Sequence, residues 1–403
     1  MLVKDRSNQI AVTARVWWAR YHRTLLWLSV ILMSAIVPLR LGEAFSKLIL
    51  GTNIGDTTKI FHLLIPKWFA SIPVYSIRFA VHPPATYVIL WPFFGWPEIV
   101  AARGIWVAAT AVAIVWLVYL IVRESGANTA LERAFVALLP LSMYAMALTV
   151  RIGQLGVQIL PLLVAGLLLL HHRQPGWGRD LLSAVLLLLA LVKPTVAAPF
   201  LWIALFLPGG LRPAVLIALG YAALTLFAVS YQAEGLPKLF HDWVARSSEL
   251  AATAGSANLH LWLTAIGLGS WILPTSFIVF GCLGWWIYRH RQADVWLLMA
   301  VTAIVARFWT YHRTYDDLLL LLPTIALFRV AKRGHSHDGA DVAAAGLLAL
   351  NVIGMLIPVR LIRPVGRWHL LATSGNAVLW IILLVFLIRH AARETIFSRQ
   401  PIR

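Results

Sequence analysis

Residues 181–207 read LLSAVLLLLALVKPTVAAPFLWIALFL, an apolar run with Lys193 and Pro194 near its middle. As one helix this run would be about 40 Å long at about 1.5 Å per residue, which exceeds a bilayer core of about 30 Å. Proline removes a helical hydrogen bond, and a lysine inside lipid is costly. Two interpretations stay open: one kinked and tilted helix, or two short helices with Lys193 and Pro194 at an outer tip.

Apolar runs of similar character recur from Leu25 to Ile388. Of the 403 residues, 60% are hydrophobic and 12% are charged, and the mean hydropathy is +0.80. Soluble domains carry about 25% charged residues, so this composition is typical of membrane proteins. We predict a single domain over residues 1–403, an all-α polytopic transmembrane helix bundle of about twelve spans. The expected spans are 25–41, 84–97, 104–122, 133–149, 154–171, 181–207, 213–231, 262–287, 294–308, 316–330, 341–359 and 371–388.

The net charge of +18 is spread over loops and tails between the apolar runs. Nucleic-acid binding is therefore not expected, because the basic residues form no continuous soluble face. Short loops rich in lysine and arginine favour the cytoplasmic side. The first apolar segment has no cleavage site after it and is expected to stay as a helix. The predicted cytoplasmic segments are the N-terminal arm, 289–291, 329–333 and the tail from Arg389, which leaves 42–83 and 232–261 as the long outer loops.

Asp56 is the carboxylate that stands out in the first of these loops, after the glycine-flanked turn 51–55. Near the outer interface it can take a proton from an acceptor hydroxyl. The alternative is a helix cap, since aspartate before Thr57 and Thr58 is good capping chemistry. Apolar residues within 57–69 recur at helical spacing, which predicts an amphipathic helix on the membrane surface.

A second group of candidates combines positive charge with aromatic rings. Lys193 at an outward break can neutralise a phosphate, although an ion-paired or snorkelling lysine is the alternative. Residues 307–317 read RFWTYHRTYDD and lie between two predicted spans. Arginine forms planar, paired hydrogen bonds with phosphate, so Arg307 and Arg313 are phosphate candidates together with His312. An ordinary interfacial belt explains the same composition.

Gln154, Asn258 and His260 are weaker signals, because amides at span ends often only hydrogen-bond a neighbouring helix. The sequence contains no Walker loop, no His-Glu-x-x-His motif and no Cys/His metal spacing, and Cys282 is its one cysteine. We therefore expect no cofactor and no metal ligands. Any chemistry must come from isolated polar residues near the outer interface.

In this order, these pieces resemble glycosyltransferase family 87, multi-span transferases of the GT-C class that use polyprenyl-phosphate sugars. The family includes the polyprenyl-phosphate mannosyltransferases of phosphatidylinositol mannoside synthesis. The resemblance extends from about residue 25 to 330 and rests on Asp56, His82-Pro83-Pro84, Gly153-Gln154, Lys193-Pro194, Gly255 to Asn258, and His312 to Tyr315 before Leu318–Leu322. Two departures are Asn258-Leu-His260 in place of Asn-x-Ser, and Thr57 where a tyrosine usually follows the acidic residue.

The resemblance implies transfer of a hexose such as mannose from a polyprenyl-phosphate donor to a lipid-linked or glycan acceptor hydroxyl, with inversion. It implies Asp56 as catalytic base, and donor-phosphate binding by Lys193, Arg307, His312 and Arg313. The substrate-binding residues would be His82, Gln154, Asn258, His260 and Tyr315. The expected location is the cell (inner or plasma) membrane, with the active site facing outward. The alternative function is a lipid or solute transporter or flippase, which would favour intramembrane carboxylates and matched broken helices.

Overall fold

The computed structural model describes residues 2–53, 55–77, 79–172, 174–253, 258–333, 339–357 and 368–397. Within these ranges every regular element is a helix. The α-helices are α1 Leu2–Leu50, α2 Thr57–Phe69, α3 Pro84–Phe94, α4 Ile99–Glu124, α5 Ala130–Ser142, α6 Tyr144–Arg151, α7 Gly156–His172, α8 Trp177–Ala190, α9 Pro194–Ala197, α10 Leu201–Phe206, α11 Leu211–Val229, α12 Leu236–Thr253, α13 Leu259–Ala265, α14 Ile272–Arg289, α15 Val295–Trp309, α16 Leu321–Arg333, α17 Ala340–Leu356 and α18 Trp368–Phe397. Short 3-10 helices cover Ala198–Phe200, Gly269–Trp271 and Thr314–Leu320.

Several of these helices are long and apolar enough to cross a membrane. Among the described residues there are five: His22–Leu50, Ile99–Glu124, Leu211–Val229, Gly269–Arg289 and Asn376–Glu394. The pair α5 and α6, bent by 47°, makes a sixth if it is one span. The chain is therefore an all-α polytopic membrane protein, which confirms the predicted fold class. The count of about twelve spans stays a prediction.

The first part of the bundle differs from the predicted spans. Helix α1 continues to Leu50 and does not end at residue 41. The expected span 84–97 is the 11-residue helix α3, which is about 16 Å long at about 1.5 Å per residue and covers about half of a bilayer core. Gly95 and Pro97 separate it from α4, because proline disfavours helical geometry in the residue before it. Instead of crossing the bundle, α3 packs against α2, α4 and α11.

The run 181–207 forms two helical arms and not one. Helix α8 ends at Ala190, and α9 begins at Pro194 with Lys193 as the preceding cap residue. Proline suits the first helical position, where no amide hydrogen is needed. Arg179 at the start of the first arm donates to the carbonyl of Gly209 after the second arm, at 3.1 Å. The two arms therefore form a hairpin with Lys193 at its turn, in agreement with the second of the two interpretations.

Ion pairs tie the helices together at one end of the bundle, here called the basic end and defined by Arg179, Arg212, Arg329 and Lys332. Arg329 donates to Asp294 at 2.7 Å, which joins α16 to the start of α15. Lys332 donates to Glu132 at 2.5 Å, which joins α16 to α5. These contacts neutralise charges that would otherwise be costly between packed helices.

Hydrogen bonds hold the opposite end, here called the site end and defined by residues 51–53, 55–58, 82–86, 152–154, 192–195 and 309–316. Its segments are distant in sequence and meet through polar backbone groups. The contacts are Thr57 N to Ile152 O at 2.9 Å, Thr86 Oγ1 to Val192 O at 2.8 Å, Trp309 Nε1 to Thr195 O at 3.0 Å, and Thr149 Oγ1 to Tyr315 O at 3.1 Å.

Between the two ends the interior is apolar. Helix α15 is buried along nearly its whole length, and α16 is buried from Leu321 to Phe328. Helices α1 and α11 instead expose large apolar side chains, including Leu28, Ile31 and Leu219. Lipid tails solvate such side chains as well as a protein core does, so they need no protein cover.

Asp180 tests the contribution of the basic end to stability. Its buried carboxylate pairs with Arg179 at 2.5 Å and with Arg212 at 3.1 Å. We expect Asp180→Ala to destabilise the protein by about 3–5 kcal/mol, because it removes a buried carboxylate that pairs with two arginines. Glu43 is the control, since its carboxylate is 58% exposed beside Lys47, and Glu43→Ala should cost below about 1 kcal/mol. Equal losses in thermal or denaturant unfolding in detergent would contradict this account.

Candidate active site

Lys193 is the centre of the site end. Its Nζ lies 2.5 Å from Asp316 Oδ1 and 4.9 Å from the centre of the Tyr315 ring. The lysine side chain is 14% exposed and the aspartate side chain 2%. A carboxylate and an aromatic face together compensate for removing an ammonium group from water. The ion-paired interpretation of Lys193 is therefore correct in this structure, and it leaves two of the three ammonium hydrogens for a ligand.

Asp316 also shapes the turn that precedes it. Its second oxygen accepts a hydrogen bond from the backbone N–H of Arg313 at 3.1 Å. Burial favours the protonated carboxyl, but the Lys193 ammonium outweighs it and lowers the pKa of Asp316 below its ordinary value. Asp316 is therefore charged at neutral pH and holds the turn 310–313 against Lys193.

His312 lies in this turn and is fully buried. Its Nδ1 lies 3.2 Å from the carbonyl oxygen of Thr310, while its Nε2 has no hydrogen-bond partner among the described residues. Burial lowers the pKa of His312 to about 3, and the cations of Arg307 and Lys193 add to the shift. The ring is therefore neutral at physiological pH, and the enclosed Nε2 keeps unused hydrogen-bonding capacity next to Lys193.

Asp56 caps helix α2, and both of its oxygens are engaged. Oδ1 accepts from the N–H of Thr58 at 3.0 Å and from its hydroxyl at 2.6 Å. Oδ2 lies 3.1 Å from Nη2 of Arg103. The capping interpretation is therefore correct, and the predicted helix 57–69 is observed with these bounds. An ionised carboxylate offers about four lone-pair directions, so these three contacts leave one for a substrate hydroxyl.

Asp56 and Lys193 belong to one continuous group of contacts. Gln154 donates from Nε2 to the hydroxyl of Thr57 at 2.9 Å, directly after Asp56. The backbone N–H of Gln154 donates to the carbonyl of Thr149 at 2.9 Å, and the Thr149 hydroxyl donates to the carbonyl of Tyr315, whose ring lies against Lys193, at 3.1 Å. The predicted residues Gln154, Asp56 and Lys193 therefore lie at the same end of the bundle.

His82 joins this group from the segment between α2 and α3. Its ring lies 5.2 Å from that of Phe61 on α2, and Tyr75 donates to its carbonyl oxygen at 3.0 Å. Burial and the Lys193 ammonium lower the pKa of His82 to about 3. His82 is thus a neutral ring close to Lys193.

The two predicted arginines are used differently. Arg307 is fully buried, lies 2.5 Å from Asp317 and stacks 5.1 Å from the Trp380 ring centre. Arg313 contacts the hydroxyl and ring face of Tyr311. Arg307 therefore forms a buried ion pair near His312, whereas Arg313 lies in the turn itself.

Asn258 and His260 lie beside this group and not inside it. Asn258 caps α13 by accepting from the N–H of Leu261 at 2.9 Å. His260 Nε2 lies 2.8 Å from the hydroxyl of Ser276, which in turn lies 3.2 Å from the Trp309 carbonyl. In the part of the chain that the structure describes, His260 is connected to the Lys193 turn through Ser276 and Trp309. The preceding motif residues 255–257 lie outside the described part of the chain.

The sequence did not predict the ion-pair partners of the candidate residues Asp56 and Lys193. Arg103 pairs with Asp56, and Asp316 pairs with Lys193. One signal for Arg103 was present, since it is a lone arginine in the apolar start of α4. Nothing in the sequence indicated which carboxylate it would meet.

The family model of glycosyltransferase family 87 matches residues 80–331, more than half of the chain. The chain belongs to this family. It is a membrane glycosyltransferase, and membership implies a sugar donor and an acceptor. The matched residues include His82, Gln154, Lys193 and the turn 310–316, whereas Asp56 precedes them. A comparison with curated proteins finds no match.

The buried His312 predicts a pH-dependent stability. Its pKa is about 3 in the folded protein, below the ordinary unfolded value of about 6.5, so the folded state binds fewer protons and loses stability as pH falls below about 6.5. Between pH 7 and pH 5 this group should contribute about 1–2 kcal/mol of that loss. His312→Gln should flatten the decrease in apparent melting temperature, whereas His241→Gln should not, because the His241 side chain is 81% exposed. An unchanged pH dependence in His312→Gln would refute the assignment.

Proposed function

We propose that this membrane glycosyltransferase transfers a hexose from a polyprenyl-phosphate donor to a hydroxyl of a lipid-linked or glycan acceptor, at the outer face of the cell membrane. The observation that carries the proposal is the site end itself. It contains a carboxylate at Asp56 and an ammonium at Lys193, which are connected by hydrogen bonds of Gln154 and Thr149 and by the Tyr315 ring. These are the charges that sugar transfer from a lipid phosphate requires.

The distribution of basic residues supports an outward active site. Arg179, Arg212, Arg329 and Lys332 lie together at the basic end, which the positive-inside rule assigns to the cytoplasm. The site end then faces outward. The chain alternates between the basic end and the site end, and α3 is not counted because it does not cross. The number of crossings is then even. In this proposal the twelve crossings are α1, α4, α5 with α6, α7, α8, α9 with α10, α11, α14, α15, α16, α17 and α18.

Asp56 is the proposed catalytic base. It takes the proton of the acceptor hydroxyl while the acceptor oxygen forms a bond to the anomeric carbon. The bond from that carbon to the phosphate oxygen breaks on the opposite side, and the leaving phosphate keeps the electron pair. One displacement of this kind inverts the anomeric centre. The remaining lone pair of Asp56 and its burial (5% exposed) suit proton transfer away from bulk water.

Lys193 is the proposed partner of the leaving phosphate. Asp316 holds its ammonium in place while two donors stay available, so it can stabilise charge that develops on the phosphate. The neutral His312 adds a hydrogen-bonding Nε2, and Arg313 adds a cation at the same turn. Gln154, His82 and Tyr315 are then positioned for substrate hydroxyls. In this proposal Asn258 and His260 stabilise the segment that packs next to Trp309.

Asp56→Asn tests the proposed base. Asparagine caps helices about as well as aspartate but accepts no proton at neutral pH. We expect transfer from a radiolabelled polyprenyl-phosphate sugar to a crude lipid extract, in liposomes, to fall by about two to four orders of magnitude. Lipid-donor binding should stay nearly unchanged.

The chain offers a matched control in Asp294. It also caps a helix, by accepting from Trp296 N–H at 2.8 Å, and also pairs with an arginine, Arg329, at 2.7 Å. Asp294→Asn should therefore cost similar stability but keep the activity per folded molecule. A well-folded Asp56→Asn protein with full activity would exclude Asp56 and move the search to Asp316 or Glu43.

The proposed orientation is tested by cysteine labelling in a Cys282→Ser background. Leu63 on α2 is 47% exposed, and Leu63→Cys should react with a membrane-impermeant maleimide on intact cells. Arg291→Cys, in the exposed turn between α14 and α15, should react only after permeabilisation. The reverse pattern would overturn the outward assignment of the site end.

A further inference from the structure

We infer that Arg103 is a positioning residue for the reaction, and that Gly51 packs against its guanidinium and keeps that group in contact with Asp56. The inference rests on the proposed function, because it assigns Arg103 a role through the proposed base. It concerns a residue that the family resemblance leaves without any role. Three segments meet at this point: the end of α1, the cap of α2 and the second turn of α4.

The guanidinium of Arg103 fixes one oxygen of the carboxylate. Arg103 Nη2 lies 3.1 Å from Asp56 Oδ2, while Thr58 holds Oδ1 through two hydrogen bonds. With both oxygens held, the plane of the carboxylate cannot rotate. The side chains of Asp56 and Arg103 are 4% and 11% exposed, so water contributes little to holding the charge.

Gly51 closes the other side of the guanidinium. A Cβ on Gly51 would lie 2.4 Å from Arg103 Cζ, closer than real atoms approach, and the backbone φ of +64° also favours glycine. The carbonyl of Gly51 accepts from Lys59 Nζ at 2.8 Å, which ties the same residue to α2. A side chain at this position would therefore displace the guanidinium from its contact with Asp56.

This arrangement gives Arg103 a specific task. A carboxylate that is removed from water needs a nearby positive charge to offset the lost hydration. Arginine does not release its own proton at accessible pH, so it supports the base without competing for the acceptor proton. In the reaction Asp56 becomes a neutral carboxylic acid, Arg103 stays a cation, and the proton passes to water after the product leaves.

A double-variant cycle separates this role from a general structural one. Arg103→Gln should lower kcat by about 10- to 100-fold and change KM by less than about threefold. In an Asp56→Asn background, the same substitution should lower activity by no more than about twofold further, because both act through one contact. Arg103→Lys should recover part of kcat, since it restores the charge. The control is Arg123→Gln in the same helix, whose side chain is 57% exposed and whose activity should be unchanged.

Gly51→Ala gives a second test that does not depend on the weak activity of Asp56→Asn. It should lower kcat as Arg103→Gln does, and the two substitutions combined should be no worse than either alone. Gly126→Ala controls for glycine strain, because Gly126 has a φ of +75° but no atom within 4 Å of a Cβ. If the activity losses of the two single substitutions multiply in either double variant, the two residues act independently. That result would overturn the role of Arg103 while leaving Asp56 as base. A fully active Asp56→Asn protein would instead refute the base, and with it this inference.

Discussion

The site end depends on the ion pair between Lys193 and Asp316. A lysine in the middle of an apolar run is costly unless a counter-charge is present, and Asp316 supplies it from 123 positions further along the chain. The pair fixes the hairpin turn between α8 and α9 and the turn before the 3-10 helix Thr314–Leu320 at the same time. Without it, the break that Pro194 introduces would leave a buried ammonium unpaired, and the turn that carries the buried His312 would lose its attachment to Lys193.

The same constraint explains how charge is distributed over the rest of the molecule. Described acidic groups that are buried each meet a cation, and these pairs gather at the two ends of the bundle, with apolar packing between them. At the basic end the pairs join helices to each other. At the site end they hold isolated groups in place while leaving donor or acceptor capacity, as Lys193 and Asp56 show.

Asp56 shows that helix capping and the proposed chemistry do not exclude each other. The contacts that stabilise the start of α2 also fix the direction of the carboxylate, so one geometry serves both purposes. Asp294 has nearly the same contacts at the other end of the bundle. A capped and ion-paired aspartate is thus no signature of catalysis by itself. The surrounding residues distinguish the two aspartates, and those near Asp56 are Gln154 and the group around Lys193.

The sequence by itself determined the helical membrane fold, the helix 57–69, the break at Lys193 and the order of motifs. These properties follow from local composition, capping and proline chemistry, which act over a few residues. Tertiary structure alone decided that α3 packs beside α2 and α11, that Asp56 meets Arg103 and that Lys193 meets Asp316. An apolar run has the same composition whether it crosses a bilayer or packs beside α2 and α11. An ion pair between residues 47 or 123 positions apart leaves no local pattern, because only packing brings the partners together.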